Sequence, residues 1–321
     1  MSTLEQLGGT SHLVETAAGP VHVADFGGPA SGPLLVAVHG LGGSHLNWAA
    51  VAPHLTGRCR LIAVDLVGHG RTPAAGRTPD VAGHVALVAD VLDALAEGPA
   101  ILMGNSLGGL VSALTAAAAP RAAAGLVLVD PALPVRHLGG VHPRIVANFV
   151  LCAVPGLGER FLAERRSRTS AEAHVRRVLA SVCADPSRVP EPVVAAHIAL
   201  TAAGDRAAGD AAYLRSARSL AAALVRSKQT RAELAALDVP VLLLHGDRDI
   251  LVPVASARRA ARGRRHWHLV EARGIGHAPQ LETPVWTAQR ILDWLDGAGA
   301  AAGAAAASAR LCGPGPAAPV S

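Results

Sequence analysis

The sequence predicts an α/β fold in which a mostly parallel, twisted sheet is flanked by helices. Short apolar runs alternate with longer helical stretches along most of the chain, an order typical of parallel strands joined by crossover helices. The apolar runs are nearly continuous, as expected where helices cover both faces of a strand. One long interval has helical patterning and no convincing strand, which predicts an inserted helical cap.

The individual elements follow from these runs. The predicted strands are 34–40, 60–66, 100–105, 125–131, 239–246 and 266–271. Residues 13–28 alternate between apolar and polar and turn at Gly19-Pro20, which predicts an antiparallel hairpin at the sheet edge. Helices are predicted over 80–96, 107–119 and 285–295.

The chain therefore divides into four predicted segments. Residues 1–134 and 233–296 form the two parts of the core, and residues 135–232 form the helical cap between them. Residues 297–321 are rich in alanine, glycine and proline, which predicts a low-complexity tail that is disordered or a frayed helix.

Composition excludes several classes of protein. Half of the 321 residues are hydrophobic and 17% are charged, so the chain is not intrinsically disordered. The net charge of +5 comes without dense basic runs or many aromatic residues, so nucleic acid is not an expected partner. The positive charge is instead concentrated in the predicted cap, which carries +8 against −3 for the remainder.

The spacing of the cysteines and the hydrophobicity of the segments indicate the cellular compartment of the protein. Cys59, Cys152, Cys183 and Cys312 lie far apart, which argues against a disulfide framework and against a zinc site. Neither a signal peptide nor a run of about 18 apolar residues long enough to span a membrane is apparent. We therefore expect a cytoplasmic protein with no transmembrane segment.

The strongest chemical signal is a G-x-S-x-G pentapeptide, Gly104 to Gly108, between the strand 100–105 and the helix 107–119. A sharp strand-to-helix turn strains the serine backbone and exposes its hydroxyl above the sheet. Ser106 is therefore the predicted nucleophile.

A serine hydroxyl needs a base, and the base needs an acid that orients it. Asp249 and His277 each follow a predicted strand, and the order serine, aspartate, histidine is one of the known triad orders. Asp247 competes with Asp249 for the acid role, and Asp249 is favoured because it lies beyond the turn. The pair His266 and His268 has no third ligand nearby and is interpreted as structural or solvent-facing.

The oxyanion formed by serine attack needs backbone donors. The N–H of Leu107 directly follows the nucleophile at a helix N-terminus. The second predicted donor is the N–H of Leu41, in the segment HGLGG that follows an earlier strand. His39 and Trp48 in this region are interpreted as structural.

These motifs resemble those of the α/β-hydrolase superfamily, in its capped, lipase- and esterase-like branch. They are HGLGGS (39–44), DLVGHGRT (65–72), GNSLGG (104–109), GDRDILVP (246–253) and GHAPQLETP (276–284). The resemblance implies a triad of Ser106, His277 and Asp249 and a helical lid, with no organic cofactor and no metal. In the family, His69 and the glycines near it shape a loop beneath the active site.

The nucleophile narrows the expected chemistry. Epoxide hydrolases and haloalkane dehalogenases of this fold carry aspartate at the elbow, where this chain has Ser106. The sequence thus predicts a serine hydrolase of carboxylic esters, with lipophilic acyl or small-molecule ester substrates. Alternatives that stay open are a C–C bond hydrolase, an acyltransferase or a non-catalytic binding protein.

Partners beyond a small-molecule ester or acyl substrate are less defined. The cap combines arginines with apolar residues between Ile145 and Leu162, which suits an anionic substrate or weak contact with a membrane surface. The alternative interpretation is a solvated helical surface rich in arginine. The sequence does not indicate an oligomeric state.

Overall fold

The computed structural model describes residues 2–95, 98–134, 143–225, 227–297 and 299–311. Eight strands form one sheet in the order β1-β2-β4-β3-β5-β6-β7-β8. They are β1 (Thr10–Val14), β2 (Val21–Asp25), β3 (Leu34–Val38), β4 (Arg60–Val64), β5 (Ala100–Asn105), β6 (Ala123–Val129), β7 (Val241–Gly246) and β8 (Trp267–Ala272). The predicted α/β fold is confirmed.

Strand directions also follow the prediction. β1 and β2 pair in antiparallel fashion at one edge, and β2 joins β4 in the same way. The strands from β4 to β8 are parallel. Every residue of β3, β5 and β7 is buried, which explains why their sequences are continuous apolar runs rather than alternating ones.

Helices cover both faces of the sheet. They are α1 (Thr3–Gln6), α2 (Ala52–Leu55), α3 (Val81–Leu95), α4 (Leu107–Ala118), α5 (Pro143–Ala153), α6 (Leu157–Ser167), α7 (Ala171–Val182), α8 (Glu191–Ala203), α9 (Arg206–Val225), α10 (Ser227–Ala235), α11 (Val254–Ala261), α12 (Pro279–Glu282), α13 (Pro284–Asp296) and α14 (Ala300–Leu311), with short 3-10 helices at His45–Trp48 and Pro186–Arg188.

Two apolar clusters lie on opposite faces of the sheet. One contains Val36, Val38 and the inward residues of α3 and α4, such as Leu87 and Leu110. The other contains Leu35, the fully buried Trp48 and the residues of α13 that face the sheet. Both clusters include residues of β5, so this central strand is held between them and its carboxyl end is fixed in place.

The helices α5 to α10 follow β6 and precede β7, at the position of the predicted cap. The carboxyl part of this segment packs on the core, since α9 contacts α3 and α10 contacts α4. Residues 135–142 of the predicted cap lie outside the described residues. Among the residues that the structure describes, no single helix is long and apolar enough to cross a membrane, and one pair, in α5 and α6, passes that test only jointly and is bent by 115°.

Part of the predicted low-complexity tail is helical. Residues Ala300–Leu311 form α14, because a run dominated by alanine has high helix propensity. Ala302 is buried, and its Cβ lies against Gly125 of β6, where a glycine leaves room for it. Residues 312–321, including Cys312, lie outside the described residues.

The packing of α14 predicts a position-specific effect on stability. Ala302→Glu places a carboxylate against the sheet and should lower the free energy of unfolding by about 2–3 kcal/mol. Ala301→Glu is the matched control, because Ala301 is exposed, and its effect should stay within about 0.5 kcal/mol. Equal denaturation curves for the two variants would contradict the docking of α14.

Candidate active site

Ser106 lies at the turn between β5 and α4. Its backbone has φ 55° and ψ −117°, a conformation that a residue with a side chain rarely adopts. The turn is held because the Ser106 N–H donates to the carbonyl of Val129 at 3.0 Å, and the Ser106 carbonyl accepts from the N–H of Ala132 at 3.0 Å. The serine is thus anchored by main-chain bonds while its side chain stays partly exposed.

The flanking glycines are required by close backbone approaches. A Cβ on Gly104 would lie 2.3 Å from the carbonyl oxygen of Gly108. A Cβ on Gly108 would lie 2.2 Å from the carbonyl oxygen of Val38. Any larger residue at either position would push α4 away from the strands and move the serine with it.

Asp249 and His277, which follow β7 and β8, lie together. Nδ1 of His277 is 2.7 Å from Oδ2 of Asp249, and both side chains are buried. The other carboxylate oxygen accepts the N–H groups of Leu251 at 2.7 Å and Val252 at 3.0 Å. These bonds fix the carboxylate and aim it at the imidazole.

The electrostatics of Asp249 favour its charged form. Burial opposes ionisation, but the charge and hydrogen bond of His277, together with His245, outweigh it and lower the Asp249 pKa. The site therefore holds a buried carboxylate against one nitrogen of His277 at neutral pH.

The competing candidates serve other purposes. Asp247 is exposed, and its carboxylate accepts the N–H of Gly274 at 2.7 Å, which closes a turn. His245 is buried inside β7, and its Nε2 lies 2.8 Å from the carbonyl oxygen of Val252. His266 and His268 are both exposed, in agreement with their predicted solvent-facing role.

The two predicted oxyanion donors are the N–H groups of Leu107 and Leu41. Leu107 is the first residue of α4, so its N–H lacks an intrahelical acceptor, and the Ser106 side chain does not cap the helix. Gly40 packs directly on the nucleophile, since a Cβ there would lie 3.3 Å from the Cβ of Ser106. This contact brings the neighbouring Leu41 to the same side of the sheet.

A buried carboxylate supports the loop that contains Leu41. Asp65 accepts the N–H of His45 at 2.7 Å, and its pKa is lowered because the histidine partners outweigh the effect of burial. His22 and His45 each place Nδ1 within 2.9 Å of Asp65. His39 is also buried, with Nε2 accepting from the Leu66 N–H, and burial lowers its pKa to about 4. These side chains are structural, as the sequence predicts for His39.

Two supporting residues have no individual signal in the sequence. The Asn105 amide donates to the carbonyl of His277 and to that of Val129, at 3.0 Å each, and so ties the serine turn to the histidine loop. Glu282 is buried and accepts three N–H groups, from Gly276, Ala184 and Asp185. Only the fold reveals these roles, because the partners are distant in sequence.

A second buried carboxyl group, Asp130, lies beside Asp249. Asp130 follows β6 with φ 44°, and its Oδ1 accepts the N–H of Gly246 at 2.9 Å. Carboxyl oxygens of Asp130 and Asp249 lie within 4.8 Å of each other, and Nε2 of His245 lies 3.5 Å from each. Burial and the neighbouring Asp249 charge raise the Asp130 pKa well above its ordinary range. This environment favours the protonated form of Asp130.

A cavity of about 1360 Å³ adjoins the site. Its walls include Leu41, the loop of His69 and the helices that follow β6. Val182, whose carbonyl accepts the His277 N–H at 2.6 Å, also lines it. The cavity therefore borders the predicted oxyanion loop and a residue that is hydrogen-bonded to the His277 backbone.

The comparison with known families agrees with this geometry. Residues 33–284 match the family model described as the alpha/beta hydrolase fold. The chain belongs to the α/β-hydrolase family.

The relatives of this chain include enzymes with different names. Over 264 residues it is 30% identical to the pimeloyl-[acyl-carrier protein] methyl ester esterase of Sodalis glossinidius, covering 81% of this chain and 92% of the relative. It is 37% identical to Lipase LipV of Mycobacterium tuberculosis over 134 residues, which are 41% of this chain and 49% of the lipase. The match to an acetyltransferase component of the acetoin cleaving system of Pseudomonas putida is 28% identical and covers 84% of this chain and 65% of that protein. The chain thus spans less than two thirds of the length of the lipase and of the acetyltransferase component.

Solved structures show the same fold. The haloalkane dehalogenase DbeA from Bradyrhizobium elkani superposes with a TM-score of 0.78 at 23% identity, covering 91% of this chain and 99% of the dehalogenase. A bacterial membrane phospholipase A superposes with a TM-score of 0.65 at 26% identity, covering 92% of this chain and 88% of the phospholipase.

The raised pKa of Asp130 predicts a pH-dependent stability difference. A carboxyl group whose pKa is raised on folding contributes stability below its unfolded pKa of about 3.9, and this contribution is lost as pH rises toward its folded pKa. Asp130→Asn keeps the acceptor for Gly246 and tolerates the positive φ, but does not titrate. Between pH 4 and pH 8 the variant should gain unfolding free energy relative to the native chain. Denaturant titrations at both pH values measure this, and parallel pH profiles would contradict a raised pKa of Asp130.

Proposed function

We propose that the chain is a serine hydrolase that cleaves carboxylic esters through an acyl-enzyme. Ser106 is the nucleophile, His277 the general base and Asp249 the acid that orients it. The observation that carries this proposal is the buried contact of 2.7 Å between Asp249 and His277, on loops adjoining a serine held in a strained strand-to-helix turn. A purely structural serine has no need for that backbone conformation.

The proposed proton path follows from the hydrogen bonds. Asp249 accepts the N–H at Nδ1 of His277, so Nε2 is left as the basic nitrogen. Nε2 takes the Ser106 proton as Oγ attacks the ester carbonyl, and later gives it to the leaving alkoxide. Water then attacks the acyl-enzyme with His277 again as base, the bond between Oγ and the acyl carbon breaks, and His277 returns the proton to Oγ of Ser106. The Asp249 carboxylate stabilises the imidazolium in both steps.

The N–H groups of Leu41 and Leu107 donate hydrogen bonds to the carbonyl oxygen and stabilise the negative charge that develops on it. Both are backbone donors in positions fixed by packing, so they need little reorganisation during the reaction. Loss of one such donor costs about 3–4 kcal/mol of transition-state stabilisation in comparable sites. Gly40 supports the proposal, because its tight packing on Ser106 brings the Leu41 loop close to the reacting carbon.

The choice of esters rests on the nucleophile, the cavity and the relatives. A serine favours attack on a carbonyl, whereas the dehalogenases of this fold are expected to use aspartate at the elbow. The cavity has apolar walls that include Leu162, Phe149 and Leu200, which suits an acyl chain. The esterase of Sodalis glossinidius and Lipase LipV, which are similar to this chain, carry names of ester-cleaving enzymes.

The proposal predicts hydrolysis of p-nitrophenyl esters, with a preference for chains longer than acetate. Ser106→Ala should lower kcat by at least about 10⁴, because the nucleophile is lost, without lowering the unfolding midpoint. Asp249→Asn should lower kcat by about 10³–10⁴ because His277 loses its orienting carboxylate. Initial rates by absorbance test both variants.

Asp247→Asn is the matched control for Asp249→Asn. It removes the same charge two residues away from an exposed carboxylate that contacts only the turn at Gly274 among the described residues. Its kcat should stay within about twofold. Retained turnover in Ser106→Ala, or equal losses in the two asparagine variants, would refute the assignment. Turnover of a ring-fission diketone in preference to every ester would instead favour C–C hydrolysis.

A further inference from the structure

We infer that the cavity contains a subsite for an anionic group at the far end of the ester substrate, formed by Arg165 and Arg177. This inference deepens the proposed ester hydrolysis and rests on it. It names the substrate class as esters whose acyl or alcohol part ends in a carboxylate or a phosphate.

The cavity wall has a large excess of positive charge. Eight arginines and three carboxylates line it. Each carboxylate is already engaged: Glu159 pairs with Arg218, Asp210 pairs with Arg166, and Asp205 accepts backbone N–H groups at the start of α9. The three carboxylates of the wall therefore do not neutralise the charge of its other arginines.

Arg165 and Arg177 are such arginines. Within the described ranges neither forms an ion pair with an acidic side chain, whereas the nearby Arg166, Arg168 and Arg176 do. The Arg165 guanidinium lies 5.5 Å from the centre of the Phe161 ring, which limits its movement. Guanidinium groups without an acid at a cavity wall are suited to bind a carboxylate or phosphate.

Three arginines of the cavity wall act electrostatically on His174, which also lines the cavity. Burial lowers the His174 pKa, and the charges of Arg165, Arg206 and Arg177 lower it further, with Asp210 acting in the opposite direction. Arg165 is on α6, Arg177 is on α7 and Arg206 is on α9, so three separate helices direct charge to the same place. An anion there would be attracted by all of them.

The helix α7 connects this point with the catalytic residues. His174, Val178 and Val182 are spaced by four residues, so they share one face of the helix, and all three line the cavity. Val182 contacts the His277 backbone through the hydrogen bond of 2.6 Å. With a rise of 1.5 Å per residue, Arg177 and His174 lie about 8–12 Å along the helix from Val182.

Apolar side chains line the cavity between Val182, near His277, and the arginines. Val178 lies midway along the α7 face, and Leu162 and Leu200 lie on other parts of the cavity wall. An acyl chain can follow these side chains while its ester is held near His277 and its charged end reaches the arginines. The cavity is therefore selective for a flexible chain of about 8–12 Å with a terminal anion.

The test compares two substrates of equal chain length. The p-nitrophenyl hemiester of suberic acid ends in a carboxylate, whereas p-nitrophenyl octanoate has no terminal charge. Arg165→Gln and Arg177→Gln should each lower kcat/KM for the hemiester about tenfold and leave kcat/KM for the octanoate within about twofold. A phosphate-terminated ester of the same length distinguishes the two anions, since the larger loss identifies the preferred one.

Arg176→Gln is the matched control, because Arg176 neighbours Arg177 on α7 but is not part of the cavity wall and pairs with Glu172 and Glu191. It should change kcat/KM for either substrate by less than about twofold. The corresponding hemiester of succinic acid is too short to reach the arginines and should be insensitive to all three substitutions.

Two outcomes would overturn the subsite: equal losses for hemiester and octanoate in the Arg165 and Arg177 variants, or no loss for the hemiester. Failure of the proposed function is separate, because neither ester would then be hydrolysed in a Ser106-dependent way. Calorimetric binding of suberate to the native chain decides the subsite in that case. An increase of about tenfold in Kd for Arg165→Gln, absent in Arg176→Gln, supports it, and equal Kd values overturn it.

Discussion

The backbone of Ser106, at φ 55°, is the constraint on which the rest of the site depends. Such a conformation costs about 1–3 kcal/mol and persists only where surrounding structure imposes it. Here β5 lies in the centre of the sheet, and α4 approaches the strands so closely that Gly104 and Gly108 admit no side chain. The packing of the whole core therefore maintains the turn that presents the serine.

Buried charge imposes a second constraint. Asp249 stays ionised because His277 and two backbone N–H groups compensate its burial, whereas burial and the charge of Asp249 raise the pKa of Asp130 beside it. The site thus favours ionisation of one carboxyl group and protonation of the other, since two buried carboxylates at this distance would repel each other. The environment of each group, and not its residue type, decides which one can orient a histidine.

Sequence alone predicts most of the core, and the reason is local. Continuous apolar runs specify buried strands, and the glycines around Ser106 specify a sharp turn, so the parallel sheet and the elbow follow from short segments. The roles of Asn105 and Glu282 do not, because their partners are far away in the chain. The same holds for the cavity, whose wall includes Arg165, Arg177 and Arg206 from three different helices. The alanine-rich sequence of α14 predicts a low-complexity tail, and only the structure shows that Ala302 packs against Gly125.

The central claim is that Ser106 is an activated nucleophile. Its most direct measurement is labelling of the folded chain with a fluorophosphonate, followed by digestion and mass spectrometry. We expect one phosphonylated peptide that contains Ser106, and no labelling after denaturation, because activation requires the folded site. Absence of label in the folded chain, or label on a different serine, would contradict the claim.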